Sequence, residues 1–346
     1  MYPVSPELQA LPASLSAAWI SDALATVQAA YGIAPDDLIT QAGIDPESLA
    51  TPTALVPLID VVRLFTVVLA RTGDRTFGLV LGSHAQVRSY PVLGYVIMGS
   101  ATLGDAVNRL LRFERIVGDI GRASVEDAGE NMLLLRWDCP FPPVYARYLS
   151  DAAVAGWVAI ARAVLGEPRS PHEVRFAYPE PPASERVAYE SFFGCPVVFD
   201  APHTGLLLPS ESLDLPLRSA DPALRGIMET HAAQLLADFP SGMNLANEVR
   251  SAVYGRLSAG DPDVETIAAA LEMTPRVLQA RLRKANLTFS DLVDDVRRSL
   301  AAVLVADERL SLVNVAMLLG FAEQSSFTRA FRRWYGVAPG EFRRRQ

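Results

Sequence analysis

Apolar residues recur at helical spacing most clearly near the C-terminus of the chain. Within residues 311–335 the first apolar stripe consists of Leu312, Val315, Ala316 and Leu319, and the second consists of Phe327, Phe331 and Trp334. Gly320 lies between the stripes, where a helix can end because glycine readily adopts a left-handed backbone. Phe321 is expected to anchor the turn, and Glu323 or Ser325 is expected to cap the next helix. The pattern predicts a helix, a tight turn and a second helix.

A second pattern of the same kind lies upstream, in residues 264–284. Thr274 is a favourable N-cap, and Pro275 stands at the first helical position, where its missing N–H costs nothing. The apolar residues expected to be buried here are Ile267, Ala268, Leu271, Val277, Leu278 and Leu282. Between the two patterns, residues 290–306 predict one linking helix. Two units on a common helix can place two helices in successive major grooves, roughly 34 Å apart.

The polar faces of both second helices carry cationic and hydrogen-bonding side chains, the types that contact base edges and phosphates. The candidate DNA-binding residues are Arg276, Gln279, Arg281, Lys284, Gln324, Ser325, Ser326, Thr328, Arg329 and Arg332. A solvated amphipathic helix on a helical bundle is the alternative for either unit alone. The repetition of the unit favours DNA binding.

Residues 264–345 resemble the DNA-binding domain of the arabinose-regulator (AraC/XylS) family of bacterial transcription factors. The resemblance rests on Ala316, Gly320-Phe321, the run Ser326–Phe331, Gly336, Pro339 and Phe342-Arg343. It implies that Gln324, Ser325 and Arg329 contact bases or phosphates, and that Arg276 and Gln279 do so in the first unit. The family usually has Arg directly after that Gln, whereas this chain has Ala280.

The N-terminal part of the chain mixes helical and alternating patterns. Helices are predicted over residues 15–30, 57–72, 102–117, 144–165, 183–193 and 221–239, with two short helical turns in 35–50. A hairpin is predicted over 122–138 with its turn at 128–131, and strands over 174–177, 197–199 and 205–208. Residues 94–98 are expected to be buried, and residues 240–244 are expected to be a hinge.

Residues from about 20 to 238 resemble the N-terminal effector-binding and dimerisation domain of the family branch that includes ornithine-utilisation and virulence regulators. The motifs are residues 42–46, Gly94 with residues 101–106, residues 192–197 and residues 215–217. The predicted fold therefore has two domains. A mixed α+β effector-binding domain spans 1–239, a linker spans 240–247, and an all-α domain with the two helix-turn-helix units spans 248–346.

The charge is divided unevenly along the chain. The net charge is −8, yet residues 245–346 hold 15 Lys and Arg against 12 Asp and Glu. The first 244 residues hold 16 and 27, a net of −11. Because the cationic residues concentrate on the proposed contact helices, the overall acidity does not exclude DNA binding.

Several other classes of protein are not indicated. The richest apolar segment, residues 57–70, is interrupted by Asp60 and Arg63, so no membrane span is expected, and no secretion signal is seen. Two distant cysteines, Cys139 and Cys195, are expected to be free, buried thiols in a reducing cytoplasm. The four histidines lack metal-ligand spacing, and no catalytic motif occurs. We expect no metal, no cofactor and no enzymatic activity.

Small-molecule binding is expected in the N-terminal domain, because apolar pockets with a few polar groups hold such ligands. An Arg facing a pocket would suit a carboxylate, so a carboxylate-bearing or amphipathic effector is the hypothesis. The candidate effector residues are Tyr95, Arg112, Phe113, Arg136, Trp137 and Tyr145. The family resemblance implies dimerisation and activation, so the expected protein is a homodimeric, ligand-responsive activator that binds promoter DNA and RNA polymerase. The alternatives are a ligand-independent DNA-binding regulator and an enzyme fused to a DNA-binding domain.

Overall fold

The computed structural model describes residues 14–139, 143–218 and 220–238. Beyond these it describes residues 245–246, 249–250, 252–253, 256–257, 260, 262–284, 287–306 and 310–344. Contacts divide the chain into two compact units, with a boundary after Asp238. The expected hinge at 240–244 lies outside the described residues, as does the side chain of Tyr145.

The N-terminal unit contains the helices predicted for this part of the chain and two that were not predicted. They are α1 (Ala17–Tyr31), α2 (Pro35–Ala42), α3 (Leu58–Thr72), α4 (Phe77–Ser83), α5 (Leu93–Met98), α6 (Leu103–Phe113), α7 (Pro143–Leu165), α8 (Ala183–Phe193) and α9 (Pro222–Asp238). The two that were not predicted are α4 and α5. The helices predicted at 57–72, 144–165 and 183–193 are confirmed to within one residue. The helix predicted over 102–117 ends at Phe113 and continues as a 3-10 turn, Glu114–Ile116.

A five-stranded sheet lies in this unit, in the order β3-β4-β7-β5-β6. Its strands are β3 (Arg122–Gly129), β4 (Met132–Asp138), β5 (Glu173–Arg175), β6 (Val197–Val198) and β7 (Thr204–Pro209). The predicted hairpin is β3–β4, whose turn residues Glu130 and Asn131 both have positive φ. The pairing of β5 with β6 is parallel, and the other pairings in this sheet are antiparallel. A separate pair, β1 (Ser14–Ser16) with β2 (Leu55–Pro57), has no sequence signal because each strand has three residues.

Helix α7 forms the centre of the unit, and α4 packs against it at close range. A Cβ at Gly78 would lie 2.6 Å from the Tyr148 carbonyl oxygen, and one at Gly82 would lie 2.6 Å from that of Ala152. Residues 146–165 of α7 are long and apolar enough to cross a membrane, but 67% of this segment is buried inside the unit. This burial is typical of the core helix of a folded domain, so the length of α7 is not evidence for a membrane span. The apolar segment noted in the sequence, 57–70, lies almost entirely in α3, as predicted.

Some N-terminal expectations need correction. Residues 94–98 form part of α5, and Tyr95 is 41% exposed rather than buried. Cys139 and Cys195 form no disulfide, and both are partly exposed rather than buried. Among the described residues, no group of three or more His, Cys, Asp or Glu side chains is arranged to hold a metal ion.

The described C-terminal residues form helices packed on one core. They are α10 (Val264–Ala270), α11 (Pro275–Lys284), α12 (Phe289–Ala306), α13 (Leu312–Leu318), α14 (Gln324–Tyr335) and α15 (Pro339–Arg344). Helix α12 is the predicted linking helix. Leu278, Leu282, Phe327, Phe331 and Trp334 are buried as expected. Val277 is not, since it is 41% exposed on the solvent side of α11. Leu245 and Ala246, assigned to the linker, are buried in this core.

Candidate nucleic-acid interface and effector cavity

Helix α14 presents the second set of predicted contact residues. Gln324, Ser325, Arg329 and Arg332 are exposed, while Ser326 and Thr328 are partly exposed. Phe327, Phe331 and Trp334 are buried on the opposite side of the helix. The helix therefore offers one polar, cationic face to solvent. Of the two predicted caps, Glu323 occupies the N-cap position without a side-chain cap bond, and its carboxylate accepts a hydrogen bond from the Ser325 hydroxyl at 2.9 Å.

Helix α11 presents the first set. Arg276, Gln279, Arg281 and Lys284 are all exposed. The helix starts as predicted, with Pro275 in its first turn and the Val277 N–H donating to Thr274 Oγ1 at 3.4 Å. Ala280 is also exposed. Because adjacent helical residues differ by roughly 100° in direction, Arg281 points away from the direction that a side chain at 280 would take.

The turn between α13 and α14 is fixed by a buried arginine from α12. The Arg297 guanidinium donates to the Leu319 carbonyl at 2.9 Å and to the Gly320 carbonyl at 3.1 Å, and it stacks over Phe321 at 4.5 Å. These carbonyls lie just past a helix end, where the helix itself supplies no donor. Phe321 anchors the turn, as predicted, against Phe327 and Trp334.

Other contacts join α12 to the second unit. The Tyr335 hydroxyl donates to the Arg298 carbonyl at 2.5 Å, and Arg333 forms an ion pair with Asp294. Arg343 of α15 donates to the Val305 carbonyl at 2.7 Å and to the Leu310 carbonyl at 2.9 Å. These contacts hold α14 and α15 against the linking helix. They leave the face of α14 that carries Arg329 uncovered by any described C-terminal residue.

A cavity of about 360 Å³ lies inside the N-terminal unit. Small-molecule sites commonly have volumes of roughly 300–1,000 Å³. The cavity is lined by residues of α5, α6, α7, β4 and β7, and its walls are mainly apolar. Its aromatic side chains are Trp19, Tyr90, Trp137 and Trp157. Trp137 and Trp157 meet edge to face, with ring centroids 5.7 Å apart.

Of the predicted effector residues, Trp137 lines this cavity and the other described ones do not. Tyr95 is exposed, and Phe113 is fully buried in the core. Arg112 pairs with Glu229 at 3.1 Å, and Arg136 pairs with Glu126 and Asp138 at 3.0 and 2.7 Å. These arginines are therefore held by carboxylates of the protein outside the cavity. For Tyr145 the side chain lies outside the described residues.

Sequence reasoning missed Glu114, which lines the cavity and is 9% exposed. Burial raises the pKa of this carboxyl to about 7. A usable signal exists, because Glu114 follows Val107 and Leu110 at helical spacing on the apolar face of α6. An acid at such a position is rare among buried residues.

Each of the two units matches a family of known proteins. Residues 32–217 match a family model described as the arabinose-binding domain of AraC transcription regulator, N-term. Residues 267–345 match a helix-turn-helix domain model. The chain belongs to the AraC family of transcription regulators. The AraC-family assignment, the mixed N-terminal domain and the helical C-terminal domain predicted from the sequence are thereby confirmed.

Relatives of this AraC-family regulator are known by name. The ornithine utilization regulator of Pseudomonas aeruginosa is 33% identical over 333 residues, which cover 93% of this chain and 94% of that protein. VirS of Mycobacterium tuberculosis is 33% identical over 202 residues, covering 58% of this chain and 57% of that protein. The crystal structure of the transcriptional regulator CdpR from Pseudomonas aeruginosa is 23% identical, covers 89% of this chain and 96% of that chain, and has a TM-score of 0.42.

Proposed function

We propose that this AraC-family regulator is a ligand-responsive transcription activator that binds promoter DNA as a homodimer in the bacterial cytoplasm. In each protomer, α11 and α14 enter neighbouring major grooves. The observation that carries the proposal is the pair of exposed polar helix faces built on one shared core. Amide and guanidinium groups on such faces can form the paired hydrogen bonds that distinguish bases.

The roles of the contact residues follow from their chemistry. Arg276, Gln279, Gln324 and Arg329 carry groups able to bond base edges in pairs. The remaining candidates bind phosphates and fix the register: Arg281, Lys284, Ser325, Ser326, Thr328 and Arg332. Their exposure in the structure supports these assignments, since none has to leave a buried site to reach DNA.

An effector in the N-terminal cavity controls DNA binding through α9, the last helix before the C-terminal unit. Helices α5 and α6 line the cavity on one side and contact α9 on the other. Gly99, at the end of α5, is so close to α9 that a Cβ there would lie 2.9 Å from Arg225 Cβ. Arg109 and Arg112 of α6 pair with Glu229 of α9 at 3.5 and 3.1 Å.

A ligand can act through this route only if it binds one arrangement of α9 more tightly than another. The effector proposed from the sequence, carboxylate-bearing or amphipathic, would occupy the cavity, and the activated dimer would recruit RNA polymerase. A ligand-independent regulator whose N-terminal domain only dimerises is the second candidate. The apolar cavity favours the ligand-responsive form, because a purely dimerising domain has no need of one.

The test is a footprint of the purified full-length protein on DNA flanking its own gene, at two salt concentrations. The proposal expects two protected half-sites, each spanning two neighbouring major grooves. Arg329→Ala should abolish this protection, whereas Arg186→Ala, at a partly exposed site of the N-terminal unit, should preserve it. Sequence-indifferent protection by the unaltered protein, or full protection by Arg329→Ala, would contradict the proposal.

A further inference from the structure

The charged groups of the cavity are distributed unevenly between its two ends. One end contains Glu114 and Trp137, and the remainder is lined by Arg162, Arg169, His172 and a second acid, Glu211. The Glu114 carboxylate accepts hydrogen bonds from the Ala123 N–H, at 3.2 Å to one oxygen and 3.0 Å to the other. Ala123 is the register partner of Trp137 in the β3–β4 hairpin. Glu114 and Trp137 therefore share one end of the cavity.

The electrostatic attraction of Arg122 and Arg115 only partly offsets the cost of burying the Glu114 carboxylate. In the part of the chain that the structure describes, no Lys or Arg nitrogen forms an ion pair with this carboxylate. The Arg122 guanidinium, on β3, instead donates to the Asp119 carboxylate at 2.6 Å and to the Gly121 carbonyl at 3.0 Å. A buried carboxylate whose charge is only partly offset carries a desolvation cost, which a bound cation would remove.

The arginines at the other end are already engaged. The Arg162 guanidinium donates to the carbonyls of Arg169, Phe192 and Phe193 at 2.9, 2.8 and 2.9 Å. It therefore caps the C-terminal end of α8, and burial lowers its pKa. Arg169 forms an ion pair with Glu167. This end consequently has little to offer a carboxylate ligand, because its cations are held by acceptors of the protein.

We propose that the effector is an organic cation: an ammonium or amidinium group attached to an apolar, preferably aromatic body. This inference rests on the proposed ligand-responsive function and names the ligand class of that same cavity. The cationic group pairs with Glu114. The body lies among Trp19, Tyr90 and Trp157, since aromatic faces attract cations as well as apolar surface.

A second feature points to a ligand at the same end. Trp137 is 7% exposed, and its indole Nε1 has no hydrogen-bond acceptor among the described residues. A buried indole N–H normally has an acceptor. A hydroxyl, ether or carbonyl oxygen near the cationic group would supply one. The favoured ligand therefore carries an oxygen close to its nitrogen.

The charge requirement can be tested with three ligands of one size: 4-phenylbutylamine, 4-phenylbutanol and 4-phenylbutyrate. Binding to the full-length protein is measured by calorimetry and by tryptophan fluorescence. Three of the four tryptophans of the chain line the cavity, so fluorescence reports on its occupancy. The amine is expected to bind at least tenfold more tightly than the alcohol or the acid. Equal or tighter binding of the alcohol or the acid, or no binding of the amine, would overturn the inference.

Glu114→Gln isolates the carboxylate, because the amide oxygen still accepts from Ala123 while the charge is gone. The preference for the amine should fall to within about threefold of the alcohol in this variant. Glu126→Gln, an exposed acid-to-amide change on the same hairpin outside the cavity, should keep the full preference. An unchanged preference in Glu114→Gln would refute the assignment. If that variant fails to fold, the three-ligand comparison on the unaltered protein still decides.

The same ligands separate this inference from the proposed function. A footprint that no ligand alters, together with selective binding of the amine, would refute ligand-responsive regulation and leave the ligand class intact. A footprint that responds to a neutral or anionic ligand bound in the cavity would refute the ligand class and leave the regulatory function intact.

Discussion

The guanidinium of Arg329 donates a hydrogen bond of 3.2 Å to the hydroxyl of Ser326, which lies three residues earlier on α14. Arg329 remains exposed, so this contact orients the side chain without hiding it. Thr328 is restrained in a similar way by its bond to the Gln324 carbonyl at 2.8 Å. Restraint of this kind lowers the entropy lost when a side chain is ordered on DNA.

Arg329→Ala should therefore remove sequence discrimination by the second unit. We expect a loss of about 1–3 kcal/mol in specific binding, with little change on unrelated DNA. Ser326→Ala keeps the guanidinium but removes its restraint together with the phosphate contact assigned to Ser326, and it should cost less specificity. Gel-shift titrations on the footprinted site and on a scrambled site, at one salt concentration, measure both effects. Equal losses on the two sites would assign Arg329 to phosphates instead.

Lys284→Gln should act differently, because Lys284 is assigned to a phosphate. Each phosphate contact releases counter-ions, so the slope of log K against log salt should become shallower by about 1 unit. Affinity should fall by a similar factor on specific and scrambled DNA. Titrations of Lys284→Gln and of the unaltered protein on both DNA sequences, over a salt series, test this. A change confined to the specific site would mean that Lys284 contacts a base.

The helical parts of this fold were readable from the sequence because each buried stripe repeats at a spacing that the helix itself imposes. Phe327 and Phe331 illustrate this, since both are fully buried where the pattern put them. The cavity was not readable in the same way. Whether Trp137 faces a cavity depends on its pairing with Ala123 and on the packing of α6 and α7, which are distant in sequence. Arg136, adjacent in sequence, points to other partners because strand side chains alternate.

The same distinction explains why Val277 was expected to be buried and is exposed. Its apolar character and its place next to Leu278 suggested burial, but it lies on the exposed side of α11. Spacing fixes which residues share a face, whereas the width of the buried stripe depends on how closely neighbouring helices approach. That distance is a tertiary property, so residues at the edge of a stripe are the least predictable.

Gly320→Ala should destabilise the C-terminal unit strongly. Gly320 has φ of +70°, and a Cβ there would lie 2.5 Å from the Gly260 carbonyl oxygen. Gly336 is a matched control, because its φ is +73° but no atom lies within 4 Å of the added Cβ. Gly336→Ala should cost about 1–2 kcal/mol from backbone strain alone, and Gly320→Ala should cost clearly more. Denaturant unfolding followed by circular dichroism measures both, and equal costs would show that the Gly260 contact relaxes freely.

Stability of the N-terminal unit should fall as the pH rises from about 4 to 7, because of Asp151. Its carboxyl is fully buried and accepts hydrogen bonds from Tyr178 and from Tyr189, the latter at 2.8 Å. Burial raises the pKa of Asp151 from 3.8 to about 7. In this window the folded unit keeps a proton that the unfolded chain releases. The contribution is complete below the unfolded pKa and is lost by the folded pKa, at up to about 1.4 kcal/mol per pH unit.

Asp151→Asn removes the titrating carboxyl. The free energy of unfolding should then decline less steeply as the pH rises. Part of the decline should remain, because the raised pKa of Glu114 acts in the same direction. Asp127→Asn, at an exposed hairpin position, should leave the profile unchanged. Unfolding free energies measured between pH 4 and 8 provide the comparison. A profile in Asp151→Asn that matches the unaltered protein would show that Asp151 is ionised throughout this range.

Glu229→Gln should uncouple the cavity from the last helix of the N-terminal unit. Glu229 lies on α9 and pairs with Arg109 and Arg112 of α6, whose other face lines the cavity. Removing its charge should leave ligand affinity within about twofold, because Glu229 does not line the cavity, while reducing the effect of the ligand on DNA affinity. By linkage, DNA should also alter ligand affinity less than in the unaltered protein. Calorimetric ligand titrations with and without operator DNA measure this reciprocity. Undiminished coupling in the variant would place the route to DNA elsewhere, with the close contact between Gly99 and Arg225 as the next part to test.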